Sequence, residues 1–271
     1  MVIARACFLK APYYFDEVTK IIWGMPYPKL PMNVVAFDTC LGACSVAVQW
    51  RQPVGSMPPD GRHPTIVARY QVCATGQAER LVPMIREVLR EAGARFEDLE
   101  AIAVTEGPGT FTGVRLGIAV ARALALATRL PIRATTSLHV MACQAKDELG
   151  GDRVGHAIAV CVDARNKQVF VQLFGEGAEP STPAHHLTPE MAAALKPGVP
   201  LLCVGSAAEI VAEAARRSGR QAKARLPPLQ PNARYLAALA PALEIRKPLR
   251  PLYLRAPDAR PQVDMSSAKL R

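Results

Sequence analysis

The sequence is short of acidic residues, of aromatics and of every motif that would name a cofactor outright. Asp and Glu number 23 against 33 Lys and Arg, a net charge of +10, and 6% of residues are aromatic. The acidic deficit is local, because Arg216 to Arg271 holds thirteen basic residues and three acidic ones and leaves the rest of the chain balanced. A basic C-terminal fifth suits contact with RNA or an acidic partner, and it equally suits a solvated surface. There is no CxxC pair. Cys7, Cys40, Cys44, Cys73, Cys143, Cys161 and Cys203 are scattered, mostly inside apolar runs, the pattern of buried free thiols in a reducing, cytoplasmic compartment. MVIARACFLK is too short and too interrupted by charge for an h-region, so no secretory signal is expected. The run Val114 to Leu130 approaches the length of a membrane span but carries Arg115, Arg122 and Arg129, which argues against insertion. Ser45 and Ser137 have no His and Asp in a recognisable arrangement, which leaves a protease reading without support.

What is present centres on Ala101 to Ala127, AIAVTEGPGTFTGVRLGIAVARALALA. Ala101 to Thr105 is a short apolar run with β-branched residues, the signature of a strand covered on both faces. Gly107, Pro108 and Gly109 force a tight turn and expose backbone amides. Thr110 or Thr112 can then cap a helix of roughly Thr112 to Thr128. Gly113, Gly117, Ala121 and Ala125 recur every four residues along it, a stripe that lets another helix approach closely. Because the remainder is apolar nearly all round, the helix is expected to pack on its own sheet and on a second body. The loop reads either as a plain turn or as a phosphate cradle at a helix N-terminus, but it lacks the Lys-Ser/Thr of a Walker loop and the GxGxxG pattern.

At 271 residues the chain can hold one large or two modest domains. Residues 1–31 show no clean period and are expected to lie outside the fold, with Met32 as the start. Asn33 to Asp38 and Cys44 to Trp50 form a hairpin, followed by a Pro/Gly-rich loop at 53–64 and a third strand over 65–73. An amphipathic helix over 78–92, a strand, the glycine loop, its helix, a strand at 131–135 and a helix capped by Ser137 complete a ribonuclease H-like order. Gly150 and Gly151 mark the joint. Beyond it the opening pattern recurs, with His156 to Asp163 and Gln168 to Phe174 as a second hairpin that places Asp163 where Asp38 stands, as an internal duplication would. Helices at 189–195, 207–218 and 232–243 and a strand at 201–204 follow, and His185 and His186 read as solvated loop residues.

These residues together resemble the bacterial TsaB (YeaZ) family of tRNA threonylcarbamoyladenosine synthesis, from Met32 to about Arg255. The most specific match is GPGTFTGVRLG at Gly107 to Gly117. It is supported by Asp38–Thr39, AERLVPMI at Ala78 to Ile85, TTSL at Thr135 to Leu138, Asp163–Ala164–Arg165 and the closing PLYLR at Pro251 to Arg255. The resemblance implies an α/β, two-lobed fold of the actin-like, sugar-kinase-like ATPase superfamily, each lobe ribonuclease H-like. Its lobes are expected at 32–150 and at 151–271, the latter degenerate and ending in a basic tail. It also implies a non-catalytic partner subunit that holds TsaD in a competent form. With TsaE, TsaD transfers threonylcarbamoyl to the adenosine beside the anticodon of tRNAs that read codons starting with A. Members contact TsaD, or a second copy, largely through the two first-lobe helices. That assigns Leu81, Met84, Ile85, Val88, Gly113, Gly117, Ile118, Ala121, Arg122 and Ala125 to a partner interface.

The matching positions bear on chemistry as well. Asp38, Thr39, Gly107 and Gly109 are the candidate nucleotide-facing set, a vestigial ATP/ADP site, in a chain for which no catalytic residue and no cofactor is expected. The family pattern often has His where this chain has Gln77, and Ser where it has Cys40, a poorer phosphate donor than a hydroxyl. His139 and Cys143 stand four apart on a helix, a possible ligand pair, but no third ligand is recognisable, so no metal site is expected. Two further readings stay open: a free-standing ATP-dependent kinase or transferase of the same superfamily, and a tRNA-binding module acting through residues 216–271. Contact with TsaE and tRNA is expected through the complex, and none with a membrane.

Overall fold

The computed structural model describes residues 32–50, 65–73 and 75–255, so the 1–31 extension, the 53–64 loop and the tail past residue 255 lie outside the described residues. Strand-forming runs rich in Val, Ile and Ala make β1 (Val34–Asp38), β2 (Ala43–Trp50), β3 (Thr65–Val72), β4 (Ala101–Thr105) and β5 (Ile132–Thr135). They form one sheet in the order β3-β2-β1-β4-β5, antiparallel across β1, β2 and β3 and parallel across β1, β4 and β5. The second sheet contains β6 (Ala157–Asp163), β7 (Val169–Phe174), β8 (His185–Leu187), β9 (Leu201–Val204) and β10 (Ala222–Arg225) in the order β10-β9-β6-β7-β8. Its antiparallel and parallel pairings repeat those of the first. β6 thus takes the place of β1, and Asp163 the place of Asp38. Two sheets built in the same order within one chain give an α/β, two-lobed architecture.

The helices are α1 (Gln77–Ala92), α2 (Phe111–Thr128), α3 (Ser137–Leu149), α4 (Pro189–Ala193), α5 (Ala208–Arg217) and α6 (Ala233–Leu239). Gly117 of α2 lies over Val104, which shares a sheet face with its register partners Phe37 and Val46. Ser45 points the other way, and its hydroxyl accepts from the Ala233 amide (2.8 Å), so α6 covers the opposite face. In the second sheet Ile158, Val160 and Val162 face α3, whereas Ala157, Ala159 and Cys161 face α4 and α5, the alternation a strand imposes.

The expected lobes at 32–150 and 151–271 therefore describe the sheets and not the helices. α3, from the first half, packs on β6 and β7; α6, from the second half, packs on β1 and β2. The two meet in a middle layer, where the Tyr235 hydroxyl donates to Asp147 (2.8 Å). The helix buried nearly all round is α3, with Leu138, Val140, Met141, Ala142 and Ala145 fully buried, and not α2, whose outer side is open. Sequence hydropathy points to α2 because it counts apolar residues and cannot know which helix lies between two sheets. α2 is nevertheless, among the described residues, the one helix long and apolar enough to cross a membrane.

Thr110, one of the two expected caps, caps α2, accepting from the Gly113 amide (3.1 Å), whereas other local ends differ from expectation. Thr136 and not Ser137 caps α3, which frees the Ser137 hydroxyl to donate to the Pro108 carbonyl (2.6 Å). His185 and His186 are not solvated loop residues but form edge strand β8, with the His186 ring against Phe170 (5.3 Å). β10, with alanines alternating with Lys223 and Arg225, is a second edge strand that periodicity does not reveal. The six cysteines among the described residues are free thiols.

Candidate functional site

The polar residues of the first lobe gather where β1 ends. The register that pairs Phe37 with Val104 sets Thr105 beside Asp38. The Thr105 hydroxyl donates to Asp38 Oδ2, and the Cys40 amide donates to Oδ1 (3.2 Å). Asp38 is fully buried, and desolvation pushes its carboxyl up to about 6 against the lowering effect of those two bonds. The Thr39 hydroxyl donates to the Gly113 carbonyl (2.7 Å) and is likewise buried. In sequence Thr105 reads only as a strand residue; the pairing of β1 with β4 is the signal that could place it here.

The glycines explain how the loop comes so close. A Cβ on Gly109 would overlap the Cys40 carbonyl, and one on Gly113 would overlap the Thr39 carbonyl. Gly107 holds φ 108°, and a Cβ there would lie 3.0 Å from the Leu252 carbonyl oxygen. The Thr110 amide donates to Cys40 O (2.7 Å), and the Ser137 amide to Gly107 O (2.8 Å). From the far end of the chain, Gln230 Oε1 accepts from the Gly42 amide (2.8 Å), and the Leu252 amide donates to Glu106 O (2.7 Å). The sequence offers no sign of Gln230, which reaches the turn from 188 residues away.

Asp38, Thr39, Gly107 and Gly109 are thus brought together, with Asp38 and Thr39 bonded to internal partners. A phosphate cradle needs amides and hydroxyls turned to the ligand. Here the carboxylate and the hydroxyl are committed to internal partners, Gly107 is buried and Gly109 is used to admit the Cys40 backbone.

The second lobe's equivalent is open. Asp163 is exposed, with Oδ1 accepting from the Arg165 amide (2.8 Å) and its own amide donating to Ser206 (3.0 Å). Arg165, Asn166 and Lys167 all hold positive φ, 64°, 51° and 58°, in the turn that follows. The Arg255 guanidinium donates to Ala164 O (3.1 Å), so the closing PLYLR runs from the glycine loop of one lobe to the hairpin of the other.

The assigned partner interface needs correction. Leu81, Met84, Ile85 and Val88 of α1 and Gly113, Gly117, Ile118 and Ala121 of α2 are buried in the chain's own core. Within the chain, Gly113 and Gly117 of the small-residue stripe admit the Thr39 turn; a Cβ at Gly117 would sit 3.0 Å from Thr39 Oγ1. Ala125 is half-buried, and Arg122, though exposed, donates to Leu249 O. The outward faces carry other residues: Val82, 48% exposed, on α1, and Ala119, Ala123 and Leu126, the last 86% exposed, on α2. In α3, His139 Nδ1 is bonded to Thr135 Oγ1 (2.9 Å), its ring stacks on Phe174 (5.7 Å), and desolvation brings it down to about 4. The buried Cys143 thiol is pushed up to about 12 by desolvation. Among the described residues no group of three or more His, Cys, Asp or Glu side chains could hold a metal ion.

The chain is similar in sequence and fold to known proteins. A family model described as TsaD, tRNA N6-adenosine threonylcarbamoyltransferase, matches residues 59–216. The tRNA threonylcarbamoyladenosine biosynthesis protein TsaB of Escherichia coli is 37% identical over 139 residues, 51% of this chain and 53% of that protein. The structure of YeaZ from Pseudomonas aeruginosa superposes with a TM-score of 0.64 at 28% identity, covering 82% of this chain and 100% of the other. The chain belongs to the TsaB (YeaZ) branch of the TsaD family. The matched stretch spans about half the length of the Escherichia coli TsaB. An uncharacterized Mycobacterium tuberculosis protein, Rv3421c, is 35% identical over 205 residues, 74% of this chain and 86% of its own length.

Proposed function

We propose that the chain is a non-catalytic subunit of the machinery that makes threonylcarbamoyladenosine in tRNA, acting in the cytoplasm as partner of a TsaD protein and, through it, of TsaE and tRNA. The observation that carries this reading is the closed Asp38 turn: Asp38 and Thr39 spend their polar atoms on Thr105, Cys40 and Gly113, and Gln230 and Leu252 cover the loop. A lobe that keeps the fold of an ATPase and closes its site is suited to shape and not to turnover. On this reading the isolated chain neither binds nor hydrolyses ATP.

The docking face we assign is the outward side of α1 and α2, around Val82, Ala119, Ala123 and Leu126, where apolar side chains lie in the open. Gel filtration of the purified chain with the TsaD of the same organism tests this. The parent chain co-elutes with TsaD. Leu126→Glu, which puts a charge into the centre of that face, weakens the complex roughly a hundredfold or more while leaving the thermal unfolding of the chain alone unchanged. Undiminished co-elution of a folded Leu126→Glu chain would move the interface elsewhere.

A further inference from the structure

We propose that the edge of α2 that carries Arg115 and Arg122, together with the segment 243–255 laid along it, binds an unpaired stretch of RNA, a base stacking on Phe111 and Tyr253 while the backbone follows the basic row. Phe111 and Tyr253 are 55% and 48% exposed, and their rings stack 5.9 Å apart at 20°. Arg115 fixes the pair, its guanidinium lying 3.6 Å from the Phe111 centroid and its Nε donating to the Tyr253 hydroxyl (2.7 Å). An exposed ring pair held in one orientation by an arginine is a prepared stacking surface.

The charge lies beside it. Arg115, Arg122 and Arg129 are seven apart and so share one side of α2 and its C-terminal end, a row of about 21 Å at 1.5 Å per residue. The closing segment runs parallel to that row and is tied to the lobe at each step: Ile245 pairs with Arg133, the Arg246 amide donates to Ile132 O (2.9 Å), and Leu249 O accepts from Arg122. It adds Lys247 and Arg250, both exposed and without an ion pair among the described residues. The carboxylates that pair with Arg246 are Glu106 (3.6 Å) and Glu244 (3.4 Å), so the row remains strongly positive. A polyanion answers the charge, and only one with open π-faces also uses the rings. An acidic peptide lacks them, and a duplex hides them between its strands.

The site borders the docking face, because Ala119 and Leu126 share a side of α2 with Arg115 and Arg122. Segment 243–255 lies against β5, at one edge of the first sheet, whereas α1 packs on β2 and β3 toward the other. That the polynucleotide is RNA and not DNA rests on the tRNA reading above; the geometry alone specifies an unpaired polynucleotide.

Fluorescence anisotropy of the full-length chain with a labelled twelve-nucleotide oligoadenylate RNA, titrated at several salt concentrations, tests the inference. Phe111→Ala and Tyr253→Ala should each weaken binding about tenfold with the salt slope retained, as expected for losing one stacked base. Joint replacement of Lys247 and Arg250 by Ala should lower the slope of log K against log salt by about 1.4, or about 0.7 for each phosphate no longer neutralised. A blunt RNA duplex of the same length and polyglutamate should bind at least tenfold more weakly than the single strand. The inference is overturned by salt-independent or absent binding, by aromatic variants that bind like the parent, or by a duplex or polyglutamate that binds as well. Co-elution with TsaD is read separately and should be unaffected by Tyr253→Ala, so failure of the RNA site and failure of the docking face give different results.

Discussion

Asp38 and Asp163 end equivalent strands of two sheets built in the same order, yet one is sealed and the other faces water. The backbone explains the likeness: each strand feeds a hairpin, and each is neighboured by a parallel strand that runs into a tight glycine turn, Gly107–Gly109 after β4 and Gly205 after β9. What differs is the return of the chain. α6, Gln230 and the segment through Leu252 all fold back onto the first lobe, while Arg255 reaches Ala164 at the second hairpin. Repetition of a fold therefore fixes where a carboxylate stands and leaves its chemistry to whatever packs on it.

The comparison is sharpened first at the glycines, where both lobes should suffer alike. Gly109→Ala would drive a Cβ into the Cys40 carbonyl, and Gly205→Ala would place one 2.5 Å from the Cys161 carbonyl oxygen at φ 96°. Each should cost about 4 kcal/mol or more, or prevent folding, in chemical denaturation. Gly151→Ala, with open space around it, should change little.

The sealed aspartate should then respond to pH. Asp38 is raised in the folded chain to about 6 from 3.8, so the folded state holds its proton more tightly than the unfolded state. Its contribution to stability is greatest below pH 4 and declines as pH rises through 6. The stability of the parent relative to Asp38→Asn should improve by about 3 kcal/mol between pH 7 and pH 3, at about 1.36 kcal/mol for each pH unit that separates the folded value from the unfolded one. His139 titrates in the opposite sense, since its folded value of about 4 makes stability fall as pH drops from 6.5. Comparison of parent with variant cancels that background.

Smaller effects follow from the covering residues and from the open aspartate. Gln230→Ala leaves the Gly42 amide without its acceptor and should cost about 1–3 kcal/mol by denaturant titration. Asp163→Asn gives up a single exposed acceptor for the Arg165 amide and should stay within about 0.5 kcal/mol of the parent.

Periodicity and turn residues carry the first sheet, α1, α2 and the β6–β7 hairpin, because these segments pair apolar runs with clear stops. β8 and β10 are not legible: HHL and AKAR are three- and four-residue edge strands whose hydrogen bonds come from a neighbour distant in sequence. The same limit hides the destination of α6 and the reach of Gln230. The glycine-alanine stripe of α2 reads correctly as a surface for close approach, but sequence spacing does not say what approaches, and the Asp38 turn of the same lobe does. The residues of the candidate site are legible as a group because they sit at strand ends; that they bond to one another depends on the register of β1 with β4 and on the returning chain.

The central proposal is that the Asp38 turn of the first lobe serves packing and binds no nucleotide. Isothermal titration of magnesium-ATP into the purified full-length chain tests it most directly. The account predicts no saturable heat, with any affinity weaker than about 1 mM, some 4 kcal/mol of binding at most. Stoichiometric micromolar binding that disappears in Asp38→Asn would contradict it.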